Sequence, residues 1–127
     1  MTRRILVIED EHVMRELLRL HLSSAGYSVD VAEDAISAGY ALLKGPPDLI
    51  ISDVEMPHMS GLELLAALRA EQKLARVPVI FLTSFEEGED RARSLGALEY
   101  LPKPIRLDEL LAAVRRHLPG AEQILPS

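Results

Sequence analysis

Five residues carry most of the chemistry that this 127-residue chain could perform: Glu9, Asp10, Asp53, Thr83 and Lys103. Each stands at or just past the end of a short apolar run rich in β-branched residues. Glu9-Asp10 follows Ile5–Ile8, Asp53 follows Leu49–Ile51, Thr83 follows Val79–Leu82, and Lys103 follows the weaker run Leu98–Leu101. Three carboxylates brought within a few ångströms repel, and some must take up protons unless a cation sits among them. Hard oxygen ligands with positions left for water suit Mg2+ better than zinc, and no Cys or paired His competes for that role. An ammonium, a hydroxyl and a metal converging on a carboxylate form a cradle for a transferred phosphoryl group. A carboxylate nucleophile forming an acyl phosphate is ordinary chemistry. The residues at the run ends therefore point to phosphoryl transfer to an Asp.

Positioning them requires a sheet whose strands all end on one side. The near-continuous runs Ile5–Ile8 and Val79–Leu82 fit strands covered on both faces, as in a parallel sheet. Tyr27–Ala32, with Ser28 and Asp30 interleaved, reads as a half-exposed edge strand whose end, Val31-Ala32, offers no chemistry. Helical patterns lie between the strands. The first places Val13, Met14, Leu17, Leu18, Leu22 and Ala25 on its apolar face and stops at Gly26, a good residue just past a helix end. The second spans about 35–43 and stops at Lys44-Gly45-Pro46-Pro47. The third opens at Ser60-Gly61-Leu62-Glu63, a capping-box pattern, and runs to about Gln72. A similar pattern at Ser84–Glu87 starts a fourth, ending at Gly96. The last carries Leu107, Leu110, Leu111, Val114 and Leu118 on one face. Its acids Asp108 and Glu109 come first and Arg115, Arg116 and His117 last, the polarity a helix dipole favours. The pattern is βα five times over, an α/β fold with a doubly wound parallel sheet, in which ligands bind beyond the carboxyl ends of the strands.

Composition excludes several other classes. With 27% charged and 48% hydrophobic residues the chain is neither disordered nor fibrous, and its length suits one core. A net charge of −6 argues against direct nucleic-acid binding, which requires neutralising phosphates with Lys and Arg. Zero Cys removes a disulfide framework, a thiolate metal site and a Cys nucleophile. Arg3-Arg4 before an apolar run hints at a signal peptide, but the run stops at Glu9-Asp10, short of the roughly 7–15 residues required. No stretch approaches the ~20 apolar residues of a membrane span. A cytoplasmic location is expected, with residues 1–118 as one domain and 119–127 as a tail or the start of a linker.

The motifs resemble the receiver domain of two-component response regulators. The resemblance covers about 4–118 and rests on four stretches. They are Glu9-Asp10 after an ILVI strand, Asp53-Val54-Glu55-Met56-Pro57-His58-Met59-Ser60-Gly61, Leu82-Thr83-Ser84, and Gly96-Ala97-Leu98-Glu99-Tyr100-Leu101-Pro102-Lys103-Pro104. It implies a flavodoxin-like sheet in the order 2-1-3-4-5, and Asp53 accepting phosphate from a phosphohistidine on a sensor histidine kinase or histidine phosphotransfer protein. It further implies Mg2+ held by Asp10, Asp53 and the backbone carbonyl of Glu55, with Glu9 assisting. Lys103 would contact phosphoryl oxygens across a cis bond to Pro104. Thr83 would turn toward the phosphoryl group and Tyr100 inward behind it, altering the face formed by the fourth helix, fifth strand and fifth helix. That face would control an output domain or downstream protein, in a switch that assists only its own phosphorylation and slow dephosphorylation and is no dedicated enzyme.

Taken singly, each residue has a plainer reading. Thr83 suits any strand, Tyr100 any half-buried strand, Lys103 any surface, and Glu9-Asp10 could cap a helix. His58 reads as an exposed loop histidine, and Met56 and Met59 as loop packing. Glu55 and Phe85 flank the site where the family varies; an acid at 55 disfavours an incoming anion or positions water. Ala113 stands where regulators linked to winged-helix domains often carry Arg, which weakens the case for their ion-paired dimer but leaves a phosphorylation-dependent homodimer open. Two rivals share the ingredients: an Asp-nucleophile phosphatase of the haloacid dehalogenase type, and a vestigial receiver acting only as an interaction module. The phosphatase signature lies after the first strand, whereas Asp53-Val54-Glu55 follows the third, and no cap domain is present. A flavin-binding relative would meet repulsion between Glu9-Asp10 and its cofactor phosphate.

Overall fold

A computed structural model describes residues 2–56, 59–84 and 89–118. Five strands, β1 (Arg4–Ile8), β2 (Ser28–Ala32), β3 (Leu49–Asp53), β4 (Val79–Thr83) and β5 (Glu99–Pro102), alternate with five helices. These are α1 (His12–Ser24), α2 (Ala35–Leu42), α3 (Gly61–Ala70), α4 (Glu89–Ser94) and α5 (Leu107–His117). The strands form one parallel sheet in the order β2-β1-β3-β4-β5. This is the doubly wound order that the motif resemblance implies.

Strand side chains alternate faces, and the apolar runs use both. Ile5, Val7, Leu49, Ile51, Ile80 and Leu82 point to one side, where Leu18 and Leu22 of α1 and Leu110, Ala113 and Val114 of α5 cover them. Leu6, Ile8, Ile50, Val79 and Phe81 point to the other, under Ala38 of α2, Leu64, Leu65 and Leu68 of α3, and Ala92 of α4. Register holds each layer together: Ile5 pairs with Leu49 on one face and Ile50 with Val79 on the other. Every residue of β3 and β4 is buried, while β2 is half-exposed, as its interleaved polar residues predict.

Local signals set most helix ends. Gly26 follows α1 at φ +101°, a conformation a side chain would resist. At α3, Ser60 Oγ accepts from the Glu63 N–H at 3.1 Å and the Ser60 N–H donates to Glu63 Oε1 at 3.3 Å, the full capping box. The helix stops at Ala70, two residues short of the expected Gln72. For α4 the expected start at Ser84–Glu87 falls mostly outside the described residues; Ser84 itself is not helical. His58, Phe85 and the tail 119–127 also lie outside them. Met56 and Met59 pack on the α3 side of the core.

Two expectations need correction. The helical period of α1 puts Val13 and Leu17 on its inner face, yet they are 69% and 37% exposed. Leu18 and Leu22, one turn apart, fill the contact with the sheet, so a stripe at i, i+4 and i+7 (Val13, Leu17, Leu20) turns outward. Ala113 is fully buried in the core between α5 and the sheet, so its identity carries no information about a surface ion pair. Arg69, near the end of α3, has no motif to mark it. Its guanidinium donates to the carbonyls of Leu95 and Val77, each at 2.8 Å, of Ala75 at 3.2 Å and of Gly96 at 3.4 Å.

Candidate functional site

The parallel sheet brings the ends of β1, β3, β4 and β5 to one edge, and with them all five expected side chains. Glu9 continues the ladder past β1, its N–H donating to the Ala32 carbonyl at 3.0 Å, which aims its carboxylate inward at 1% exposure. Glu9 Oε2 accepts the Glu11 N–H at 3.2 Å. Glu9 Oε1 lies 3.5 Å from Lys103 Nζ and, although buried, is satisfied by no hydrogen bond. Asp10, the next residue, is exposed. One carboxylate oxygen each from Glu9, Asp10 and Asp53 lies within 4.8 Å of the others, a spacing one cation can bridge. The buried Oε1 without a hydrogen-bond donor is the kind of ligand atom such an ion would satisfy.

Asp53, the last residue of β3, is 2% exposed. Its Oδ2 accepts from Lys103 Nζ at 2.8 Å and its Oδ1 from the Glu55 N–H at 3.2 Å. Burial pushes its carboxyl up from the usual 3.8, Lys103 pulls it down, Glu55 and Glu9 push it up, and the balance stands at about 7. Burial likewise raises Glu9. Lys103 is desolvated too, which alone would lower it, but the two carboxylates it faces raise it above the ordinary lysine value. The site is thus one ammonium set against several buried or half-buried acids.

Lys103 reaches in because its own N–H is tied to the Thr83 carbonyl at 2.7 Å, one step past β5; the Lys103–Pro104 peptide is cis. Thr83 is 3% exposed at the end of β4. Tyr100 is half-buried on β5, its ring edge-on to Phe81 with centroids 6.3 Å apart.

Three contributors escape a reading of the motifs or are read by it too narrowly. The Thr83 hydroxyl donates to Glu55 Oε1 at 2.9 Å, so the Glu55 side chain belongs to the site along with its backbone. Burial alone would raise the Glu55 carboxyl, but contacts with Asp53, Thr83 and Lys103 hold it below the usual value. Arg15 donates to the carbonyls of Glu9 at 3.0 Å and Asp10 at 3.4 Å, fixing the turn that carries the acidic pair. A cation in the opening turn of a helix opposes the dipole, and that anomaly is the signal the sequence offers. Gly61 is required by contact: a Cβ there would stand 2.5 Å from the Asp53 carbonyl and 2.8 Å from the Phe81 ring.

Comparison with known proteins places this fold in a family. The response regulator receiver domain family matches residues 5–115. Response regulator MprA of Mycobacterium tuberculosis is 41% identical over 117 residues, covering 91% of this chain and 50% of that protein, so the chain spans about half the length of such curated relatives. Among solved structures, chemotaxis response regulator CheY4 of Vibrio cholerae is 31% identical, with a TM-score of 0.86 over 93% of this chain and 100% of that one. Response regulator TrrA of Thermotoga maritima, in complex with Mg2+ and BeF, is 38% identical, with a TM-score of 0.81 over 92% of this chain and 100% of that one. With the family match over residues 5–115, the 41% identity to curated relatives and the shared fold, the chain belongs to the response regulator receiver domain family of two-component signalling systems.

Proposed function

We propose that the chain is a phosphorylation-controlled switch that accepts a phosphoryl group on Asp53 from the phosphohistidine of a sensor histidine kinase or a histidine phosphotransfer protein. The observation that carries this reading is the Asp53 carboxylate, buried, paired with Lys103 at 2.8 Å and set beside two further acids. In the transfer an Asp53 oxygen bonds to phosphorus as the phosphorus–nitrogen bond breaks, and the imidazole leaves with that electron pair. Asp53 must be ionised to attack. Lys103 opposes the upward pull of burial and so keeps an ionised nucleophile available, then meets the charge that develops on the phosphoryl oxygens.

Glu9, Asp10, Asp53 and the backbone carbonyl of Glu55 would hold Mg2+. The metal would supply neutralisation of phosphoryl charge. Thr83 would donate to a phosphoryl oxygen, and the Tyr100 ring would then move inward over Phe81. The face made by α4, β5 and α5 would change with it and be read by an output domain or downstream protein. On this reading residues 1–118 are the switch and 119–127 a tail or the start of a linker, with a cytoplasmic location and no direct nucleic-acid binding by this chain. No described helix is long and apolar enough to cross a membrane. The phosphatase alternative is disfavoured by the acceptor's place after β3.

The test is intact-mass measurement after incubation with Mg2+ and acetyl phosphate. One phosphoryl group, labile to hydroxylamine, is expected on the unaltered chain and none on Asp53→Asn. Undiminished modification of that variant overturns the assignment, and steady turnover of generic phosphate esters favours the phosphatase.

A further inference from the structure

Glu55 bridges the two residues that matter most to the switch. Its N–H donates to Asp53 Oδ1 and its carboxylate accepts the Thr83 hydroxyl at 2.9 Å. A hydroxyl has one proton to give. In the unmodified chain that proton goes to Glu55, an anionic acceptor, and such bonds are among the stronger ones. A phosphoryl group on Asp53 would bring further anionic oxygens toward the same donor, beside the same carboxylate. One donor cannot serve both.

We infer that Glu55 is a resting-state latch, a positioning residue whose carboxylate holds the Thr83 hydroxyl and must be displaced before that hydroxyl can serve a phosphoryl group. Such a latch presupposes Asp53 as the phosphoacceptor. It differs from simple repulsion between Glu55 and an incoming anion, because the latch acts only through Thr83. Glu55 is half-exposed and lies outside both apolar clusters, so its replacement leaves the scaffold intact.

Two measurements on the full chain test it. The first needs no ligand: three-bond couplings report the Thr83 side-chain rotamer in metal-free protein. The Thr83 rotamer populations are expected to match in the unaltered chain and Glu55→Gln, which keeps an acceptor oxygen, and to shift in Glu55→Ala. The second is titration with beryllofluoride in saturating Mg2+. Glu55→Ala is expected to tighten binding about tenfold, the scale of one charge-assisted hydrogen bond released. In a Thr83→Val background the same change should gain less than about twofold, by the logic of a double-mutant cycle. A tenfold gain that survives Thr83→Val means plain charge repulsion and overturns the latch, as does an unchanged Thr83 rotamer in Glu55→Ala. Failure of every variant, including the unaltered chain, to take up beryllofluoride overturns the phosphoacceptor reading itself and the latch with it.

Discussion

The ends of β1 and β3 and the edge formed by β5 and α4 are built to different standards. β1 and β3 lie inside the sheet, paired on both sides, and β3 is buried throughout. On them sit Glu9 and Asp53, two carboxylates almost wholly removed from water. At the other end, β5 pairs only with β4 and its residues are half-buried or exposed. Thr83 stands on the border between them. The electrostatic cost of crowded acids is concentrated where packing on both faces opposes relaxation. The β5 edge, which the proposed switch would move, lies where less packing must be undone. A chain that reversed this allocation would let its acids relax apart.

The contrast should fail most severely at Gly61. Adding a methyl group drives it into the Asp53 backbone at 2.5 Å, and backbone cannot swing aside as a side chain can. Gly61→Ala should cost on the order of 3 kcal/mol despite the better helix propensity of Ala, since overpacking outweighs the ~1 kcal/mol gained. Thermal unfolding followed by circular dichroism should show a fall of roughly 10 °C. A shift within error of zero would show that the floor of the site yields after all.

A second, smaller effect concerns the charge held in that floor. The folded Asp53 carboxyl keeps its proton up to about pH 7, whereas the unfolded one loses it near 3.8. Between these values the folded state binds more protons, so stability is greatest below the window and falls as pH rises through it. Asp53→Asn removes the titration. Each tenfold difference in proton affinity between the two states is worth about 1.4 kcal/mol. With solvent screening offsetting part of that, the stability of Asp53→Asn in chelator, relative to the unaltered chain, should grow by about 2 kcal/mol between pH 4 and pH 8. A difference that stays flat across this range would mean that burial does not penalise the ionised nucleophile.

The smallest effect belongs to the β5 edge. Glu99 pairs with His117 at 3.0 Å and Arg116 at 3.4 Å on α5, and the His117 contact leads those that hold its carboxyl below the usual 4.5. Its contribution is present above that value and fades as pH falls through the lowered one. Because the groups are partly exposed, Glu99→Gln should cost only about 0.5 kcal/mol at pH 7, and less in high salt. A loss of several kcal/mol in urea unfolding would place the β5 edge on the same footing as the acidic floor.

What can be read from the sequence is whatever depends on near neighbours or on one-dimensional order. The β-branched runs and their terminal acids announce the strands and their chemistry, Ser60 and Glu63 announce a helix start, and Gly26 a helix end. What cannot be read depends on rotation or on distant contact. Val13 and Leu17 share a helical period with Leu18 and Leu22, and only docking on the sheet decides which side faces inward. The Glu55 carboxylate chooses Thr83, 28 residues away, once β3 and β4 are paired. Ala113 fits a surface or a core with equal consistency until α5 is packed.

Arg69 has a mechanical consequence. Its guanidinium clasps the carbonyls of Leu95 and Gly96, just past the final residue of α4, to those of Ala75 and Val77, just before β4. The C-terminal end of α4 is therefore fastened to the segment that leads into β4. The described part of α4, Glu89–Ser94, covers about 9 Å at 1.5 Å per residue. A rod fastened at one end cannot slide; it can only swing. Tilting it by about 10° carries its far end through roughly 1.6 Å and leaves the bolted end where it was. Within Glu89–Ser94, such a tilt would carry side chains near Glu89 further than those near Ser94, so a partner reading the proposed switch there would gain most by gripping the Glu89 side.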